Sequence, residues 1–281
     1  MNSSVAAGRL YVVSTPIGNL GDFSFRAIDV LRSVSLILAE DTRHSRTLLD
    51  RYEIRTPLQS YHEHNEAKLT PGLIERLRSG DDMALISDAG TPLLSDPGAR
   101  LVDAAVDAGI VVNPIPGASA LLSALVASGI SAERFTFFGF LPRKGHDRAS
   151  ALAELASLPH TAVVYEAPTR LADTLAELEA LGAGQKKIAV AREMTKQYEE
   201  VRRGTVSLLR AYYNDTPPRG EVVIVLAGSE QRGVEESDVR ARARALAAEG
   251  RSARDVVARL VAELGVPRNK AYAIVEEEKH A

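Results

Sequence analysis

The sequence predicts an α/β protein: two α/β domains followed by a small all-helical domain of helix-turn-helix-like pattern. Three observations predict it. Short apolar runs alternate with amphipathic helical patterns as far as Gly228. The chain changes character near Pro116–Ala120, which divides that stretch into two halves. Strand signals stop after Gly228 and helical patterning takes over. The expected domains are therefore residues 1–118, 119–230 and 231–281, a division that suits 281 residues.

The runs Leu10–Val13, Leu36–Ala39, Met83–Ile86, Val111–Val112, Phe135–Phe138, Ala162–Tyr165, Ile188–Ala191 and Glu221–Leu226 have the length and the Val, Ile or Phe content of strands. Between them, Phe25–Leu31 spaces Phe25, Ile28 and Leu31 at helical intervals. Thr42–Tyr52, Pro71–Arg78 and Pro97–Ala108 behave similarly. Pro168–Leu181 has Pro at a first helical position and Gly182 just past its end. Gln197–Gly204 is a polar, strand-like stretch, so the second half should carry a mixed sheet. Ser229–Gly233 reads as a linker. From Glu235 the pattern is helical. Ser252 to Asp255 open a helix with Val256, Val257, Leu260 and Val261 on its apolar face. Leu264–Pro267 break it and Arg268–Lys279 resume.

Composition excludes several classes. There is no cysteine, which removes disulfides, thiol nucleophiles and Cys-ligated metal. Aromatics make up 5% with no Trp, too few for an extended base-stacking platform. The net charge of −3 gives no global attraction to nucleic acid, and the stretch from Gly228 on balances ten Lys/Arg against ten Asp/Glu. Any RNA contact must come from local patches. No apolar run is long enough to span a membrane, and Met1–Gly8 lacks a signal-peptide core, so a cytoplasmic protein is expected. His62-Glu63-His64 fits no metal-ligand frame and reads as a polar loop; no metal is expected.

The densest signal is Ser87-Asp88-Ala89-Gly90-Thr91-Pro92-Leu93-Leu94-Ser95-Asp96-Pro97-Gly98, directly after an apolar strand. Two Asp, two Gly and two Pro exceed what a plain turn needs. The carboxyl end of a strand in an open α/β sheet is where ligands bind. Other strand ends carry weaker signals. Ser14–Asp22 is polar and contains Gly, but is neither a dinucleotide fingerprint nor a Walker loop. In Ala39–His44, Asp41 is equally well read as a helix cap or as a site carboxylate, and Arg43 is read as facing a substrate. Pro114–Ala120 is a rigid turn into a helix of small residues, suited to a flat ligand or to close helix–sheet packing. Leu141–Arg148 and Arg192–Lys196 are basic clusters after strands, and they could hold phosphates. Glu166 pairs with Arg170 at helical i, i+4 spacing or faces the cleft. The residues alone lead to a two-domain α/β ligand-binding protein of enzyme type and no further.

In order, the segments Thr15–Leu20, Ala39–Arg43, Ser87–Pro92, Pro116–Ala120, Gly139–Pro142, Tyr165–Pro168 and Arg192–Lys196 resemble the ribosomal RNA small-subunit methyltransferase I group of the tetrapyrrole methylase superfamily. The similarity runs from about Arg9 to Gly228, and the helical tail also resembles that group's. It implies two α/β domains with a ligand cleft between them and S-adenosyl-L-methionine as methyl donor. It also implies transfer to the ribose 2′-hydroxyl of a cytidine in the decoding region of small-subunit ribosomal RNA, and a homodimer. The implied partner is that RNA or the assembled 30S subunit.

The donor site implied by the resemblance maps to Pro16, Gly18, Asp88, Gly90, Thr91, Leu94, Ser119, Ala120, Tyr165, Gly220 and Glu221. A sulfonium methyl is already electrophilic, so positioning carries much of the reaction and a base near the hydroxyl helps. Asp41, Glu193 and Lys196 are the candidate bases, Lys196 only if its pKa is lowered. Arg43, Arg143, Lys144, Arg148 and Arg170 are the candidate phosphate contacts. Two other functions compete: a methyltransferase acting on a tetrapyrrole or other small molecule, and a non-catalytic RNA-binding assembly factor.

Overall fold

The computed structural model describes residues 6–229 and 236–279. Residues up to Gly228 form one compact unit and those from Ser229 a second. The two expected α/β halves thus share a unit, each with its own sheet.

The first half runs β1 (Arg9–Val13), α1 (Phe25–Ser33), β2 (Leu36–Ala39), α2 (Thr42–Arg51), β3 (Leu58–Ser60), α3 (Glu66–Arg78), β4 (Met83–Ile86), α4 (Ala99–Asp107) and β5 (Val111–Ile115). Its strands are all parallel, in the order β3-β2-β4-β1-β5. β2 and β4 are buried along their whole length, as unbroken apolar runs covered on both faces should be. Alternation splits their side chains. Ile37, Ala39, Ala84 and Ile86 pack with Ala27, Ile28 and Leu31 of α1, whereas Leu36, Leu38, Met83 and Leu85 pack with Leu101 and Ala105 of α4. The chain therefore leaves neighbouring β1 and β4 toward opposite faces. A crevice opens between their carboxyl ends at this switch point.

α5 (Ala120–Ser128) carries the chain into the second half. There follow β6 (Phe135–Phe140), α6 (Gly145–Ser157), β7 (Thr161–Glu166), α7 (Leu171–Leu178), β8 (Lys187–Arg192), β9 (Glu200–Thr205), α8 (Val206–Asp215) and β10 (Val222–Leu226). The sheet order is β6-β7-β10-β8-β9, and only β6 and β7 are parallel, so the sheet is mixed as expected. α5 is apolar nearly all round. Its Leu121, Ala124 and Leu125 cover Val163, Ala191, Val223 and Val225 on one face of this sheet. α6, α7 and α8 cover the other. Val222 pairs with both Glu166 and Arg192, which brings the ends of β7 and β8 together at the start of β10.

Several boundaries differ from those the sequence suggests. α3 begins at Glu66 and holds Pro71 in its interior, where the missing N–H costs a backbone hydrogen bond and the pattern looks like a start. Residues 145–148 of the basic segment are the first turn of α6, not loop. Pro168–Arg170 form a 3₁₀ turn ahead of α7, and the chain turns over at Gly182 with φ +83°. The short polar strand β3, α8 and the rest of α6 carry signals too weak to stand out.

The second unit holds α9 (Glu236–Ala248), α10 (Ala253–Leu264) and α11 (Arg268–Lys279) around Val239, Leu246, Val257, Leu260 and Ile274. Ser252 caps α10 by accepting from the Asp255 N–H at 3.2 Å, and Gly265 ends it in the left-handed region at φ +62°. Beyond Ser229 the expected linker lies outside the described residues, as does the Met1–Val5 part of the amino terminus.

Gly98 starts α4 at φ +128°, and a Cβ there would lie 2.5 Å from Leu85 Cδ2 in the core. Gly98→Ala should therefore cost about 1–3 kcal/mol in denaturant unfolding, from backbone strain and overpacking together.

Candidate active site

The crevice is built by loops that tie themselves to one another through backbone. Thr15 and Gly90 exchange N–H···O bonds of 2.8 and 3.1 Å, joining the loop after β1 to the loop after β4. The Ser14 and Thr91 hydroxyls lie 3.1 Å apart, and Thr91 donates to the Ala118 carbonyl at 3.3 Å. Gly117 passes so close to Ser14 that a Cβ would sit 2.9 Å from the Ser14 Cβ. Leu93 and Ser95, at φ +75° and +72°, hold left-handed backbone that side chains rarely adopt. Strain of this kind persists only where surrounding contacts enforce it, and it concentrates at functional loops.

These loops enclose a cavity of about 350 Å³, the size of a small-molecule site. Nine of the eleven expected donor residues line it: Asp88, Gly90, Thr91, Leu94, Ser119, Ala120, Tyr165, Gly220 and Glu221. Pro16 and Gly18 do not, although Ile17 between them does. Gly18 is glycine for another reason: at φ +145° its Cβ position is taken by the Lys196 side chain, 2.3 Å from Cγ. Tyr165 is held by an edge-on Phe137 ring at 4.9 Å, and its hydroxyl accepts from the Leu121 N–H at 3.3 Å in the first turn of α5. Burial pushes its pKa up, so the hydroxyl stays protonated.

Five carboxylates line the cavity; Glu166 and Glu221 have cationic partners, whereas Glu40, Asp88 and Asp96 crowd one another. Burial and the charges of Glu40 and Asp88 push Asp96 up to about 7, and burial and Asp88 also raise Glu40. Asp88 is oriented by the Asp41 N–H, 3.1 Å from its Oδ1. Glu40 and Asp96 stand in motifs visible in the sequence, but nothing local sets them apart from turn formers. Their role arises only when the ends of β2 and β4 come together. Among the described residues no group of His, Asp and Glu converges as metal ligands, and no helix is long and apolar enough to cross a membrane.

Residues 9–210 match the family model for Tetrapyrrole (Corrin/Porphyrin) Methylases. The chain belongs to the tetrapyrrole methylases. Within them it falls in the group of proteins named ribosomal RNA small subunit methyltransferase I. The relative of that name from Synechocystis sp. is 43% identical over 270 residues, covering 95% of this chain and 97% of its own. The one from Mesorhizobium japonicum is 49% identical over 243 residues, covering 85% and 82%. The fold is shared with uroporphyrin-III C-methyltransferase from Thermus thermophilus, a structure complexed with S-adenosyl homocysteine. The TM-score is 0.56 and the identity 18%, over 78% of this chain and 97% of that one.

In this tetrapyrrole methylase the three expected bases are poorly placed to take a proton. Asp41 caps α2, accepting from the Arg43 and His44 N–H groups at 2.8 and 3.4 Å, and it does not line the cavity. Those backbone donors hold its carboxyl below the ordinary range. Burial acts to raise Glu193, but the Glu221 N–H and the Lys196 ammonium outweigh it and the carboxyl stays low. Lys196 Nζ lies 3.0 Å from Glu193 and 3.2 Å from Glu221. Burial would lower its pKa, yet these carboxylates hold it above the ordinary value. That is opposite to what a lysine base requires. Gly220, at φ +83°, leaves the space that the Glu193 carboxylate fills, and so fastens this cluster to the cavity rim.

Of the expected phosphate contacts, Arg143, Lys144, Arg148 and Arg170 line one pocket of about 510 Å³, and Arg43 does not. Arg43 is 92% exposed at the side chain, and Arg143 and Lys144 are exposed before α6. Arg148 is committed to the fold. Its side chain is 8% exposed, pairs with Glu177, lies 3.7 Å from Glu166 and donates to Thr174 at 2.9 Å. Arg170 is partly buried and donates to the Leu141 and Pro142 carbonyls at 3.1 and 2.8 Å, with Glu166 at 3.4 Å. Both arginines neutralise the fully buried Glu166 carboxylate, which lines the cavity and also accepts from Thr174 at 2.7 Å.

Removing Arg148 would leave the buried Glu166 with Arg170 alone, so Arg148→Ala should cost about 3 kcal/mol in equilibrium unfolding. Asp96 gives a pH signature. The folded chain keeps a proton on this carboxyl to about 7, whereas the unfolded chain releases it near the ordinary 3.8. Stability of the unliganded protein should therefore fall as pH rises through that window, and Asp96→Asn should flatten the slope. Thermal melts of both proteins between pH 4 and 8 measure it.

Proposed function

We propose that this chain is a methyltransferase that moves the methyl group of S-adenosyl-L-methionine to the ribose 2′-hydroxyl of a cytidine in the decoding region of small-subunit ribosomal RNA. The observation that carries the proposal is the cavity at the β1/β4 switch point, lined by nine residues expected to contact the donor. Its size and its wall of Ile17, Leu94 and Ala120 suit a nucleoside-sized ligand, and the thioether product occupies a structural neighbour. Its crowded carboxylates Glu40, Asp88 and Asp96 suit a cationic one. The relatives' names supply the small-subunit RNA, and the motif resemblance supplies the 2′-oxygen and the cytidine. The same resemblance supports a homodimer in the cytoplasm, for which the exposed Leu122 and Val126 of α5 offer apolar surface.

When bound, S-adenosyl-L-methionine supplies a sulfonium methyl, an electrophile that needs no further activation. Asp88, Thr91, Ser119 and Tyr165 hold and orient the donor, and Gly90 lets backbone approach it. Asp96, with Glu40 beside it, accepts the proton of the acceptor hydroxyl. A cationic ligand beside these carboxylates would hold Asp96 ionised and ready to take that proton. With no cation beside it, the crowding of Glu40 and Asp88 favours the protonated Asp96. Lys196 and Glu193 brace the rim through Glu221.

The test is purified protein with labelled donor and small ribosomal subunits from cells lacking the modification. Label should appear at one alkali-resistant ribose linkage in the decoding region. Donor binding with no RNA labelling would overturn the RNA acceptor and favour a small molecule. Asp96→Asn should lower kcat about a hundredfold and raise donor Kd by a smaller factor. Asp41→Ala should cost about 1 kcal/mol of stability as a lost helix cap and leave kcat near wild type.

A further inference from the structure

A second cavity, of about 170 Å³, opens at the same end of the second sheet as the candidate active site. It is too small for a nucleoside and suits a single compact anion. Arg192, at the end of β8, and Arg219, just ahead of Gly220 and Glu221, line it with Tyr212 and Tyr213. Glu200 is the one carboxylate in its wall, and it is already claimed twice. Arg192 Nε lies 2.7 Å from one of its oxygens and Arg202 Nη2 lies 2.6 Å from the other. Arg202 also lies over the Tyr212 ring at 3.7 Å, so the wall is braced from behind. Counting these four groups, the pocket keeps a surplus of positive charge in a protein whose net charge is −3.

The second mark of a ligand is an unspent donor. Tyr213 is 2% exposed, and its buried hydroxyl has no hydrogen-bond partner. Such an orphan is costly inside a protein and calls for an explanation. Burial and the nearby Glu200 push its pKa up to about 12, so it remains a proton donor at any working pH. Pro217 and Pro218 stiffen the rim that carries Arg219.

We propose that Arg192, Arg219 and the Tyr213 hydroxyl form a phosphate subsite that takes a backbone phosphodiester of the acceptor RNA beside the nucleotide being methylated. This rests on the RNA reading above. Geometry supports the adjacency: Arg192 pairs across the sheet with Val222, and Val222 lines the donor cavity. Arg219 is joined to the lining residues Gly220 and Glu221 by chain. Two guanidinium groups and a hydroxyl are the donors an oxyanion needs.

Arg219→Ala and Tyr213→Phe test it in the full-length protein. RNA affinity should fall about three- to tenfold in each. For Arg219→Ala the slope of log K against log salt should drop by about 0.7–1, one phosphate's share. Donor affinity should hold. The Tyr213→Phe melting temperature should stay the same or rise, since the oxygen removed bonds nothing in the protein. Wild-type affinity and slope in folded variants would overturn the subsite, as would a loss confined to the melting temperature. If the wild-type protein itself binds no RNA, the RNA reading fails first. Inorganic phosphate titrated against arginine side-chain NMR signals then separates the cases. Phosphate shifting Arg192 and Arg219 without competition from RNA would leave an anion site but overturn its assignment to RNA.

Discussion

The site depends on one backbone constraint: β1 and β4 lie side by side while the chain leaves them for opposite faces of the sheet. The crevice between their ends is walled by loops, and these pair with each other. The two N–H···O bonds between Thr15 and Gly90 do this. Thr91 continues the lacing to Ala118, and through Ser119 it reaches the first turn of α5, which packs on the second sheet. A cavity between two sheets thus inherits its shape from a few short backbone contacts. A displaced Gly90 would move Asp88, Thr91 and the turn into α5 together.

The same constraint explains why the acids are crowded. β2 and β4 are neighbours, so Glu40 just past one and Asp88 just past the other come close, and the left-handed turn at Leu93 and Ser95 brings Asp96 back beside them. Like charges in a partly dry cavity hold the Asp96 proton up to about pH 7. A protein gains no stability from that arrangement. It suits the proposed cationic ligand, whose charge these carboxylates would balance.

Much of this was legible in the sequence. The strand runs mark both sheets, and the density of Asp, Gly and Pro after Met83–Ile86 marks the loop that forms the cavity wall. What was not legible depends on neighbours that are distant in sequence. Arg148 and Arg170 look like free phosphate contacts in a basic run and a helix start, and only the fold shows the Glu166 carboxylate between them. Gly18 looks like a ligand glycine, yet the side chain it makes room for is Lys196, 178 positions on. Asp41 had two equal readings, and the backbone geometry of α2 assigns it to the cap.

An acidic cavity and a polyanionic acceptor pose a conflict that the distribution of arginines resolves. The carboxylates are recessed, whereas Arg43, Arg143 and Lys144 are exposed, and Arg192 and Arg219 stand beside the rim. Screening confines each charge to roughly 8 Å at physiological salt, so recessed acids repel a backbone docked on outer cations only weakly. On the proposed reaction only the nucleotide being modified must enter the acidic zone, and it would enter through its uncharged ribose. The protein therefore needs no overall positive charge to act on RNA. It needs cations spaced along the path of the backbone and acids placed where the sugar arrives.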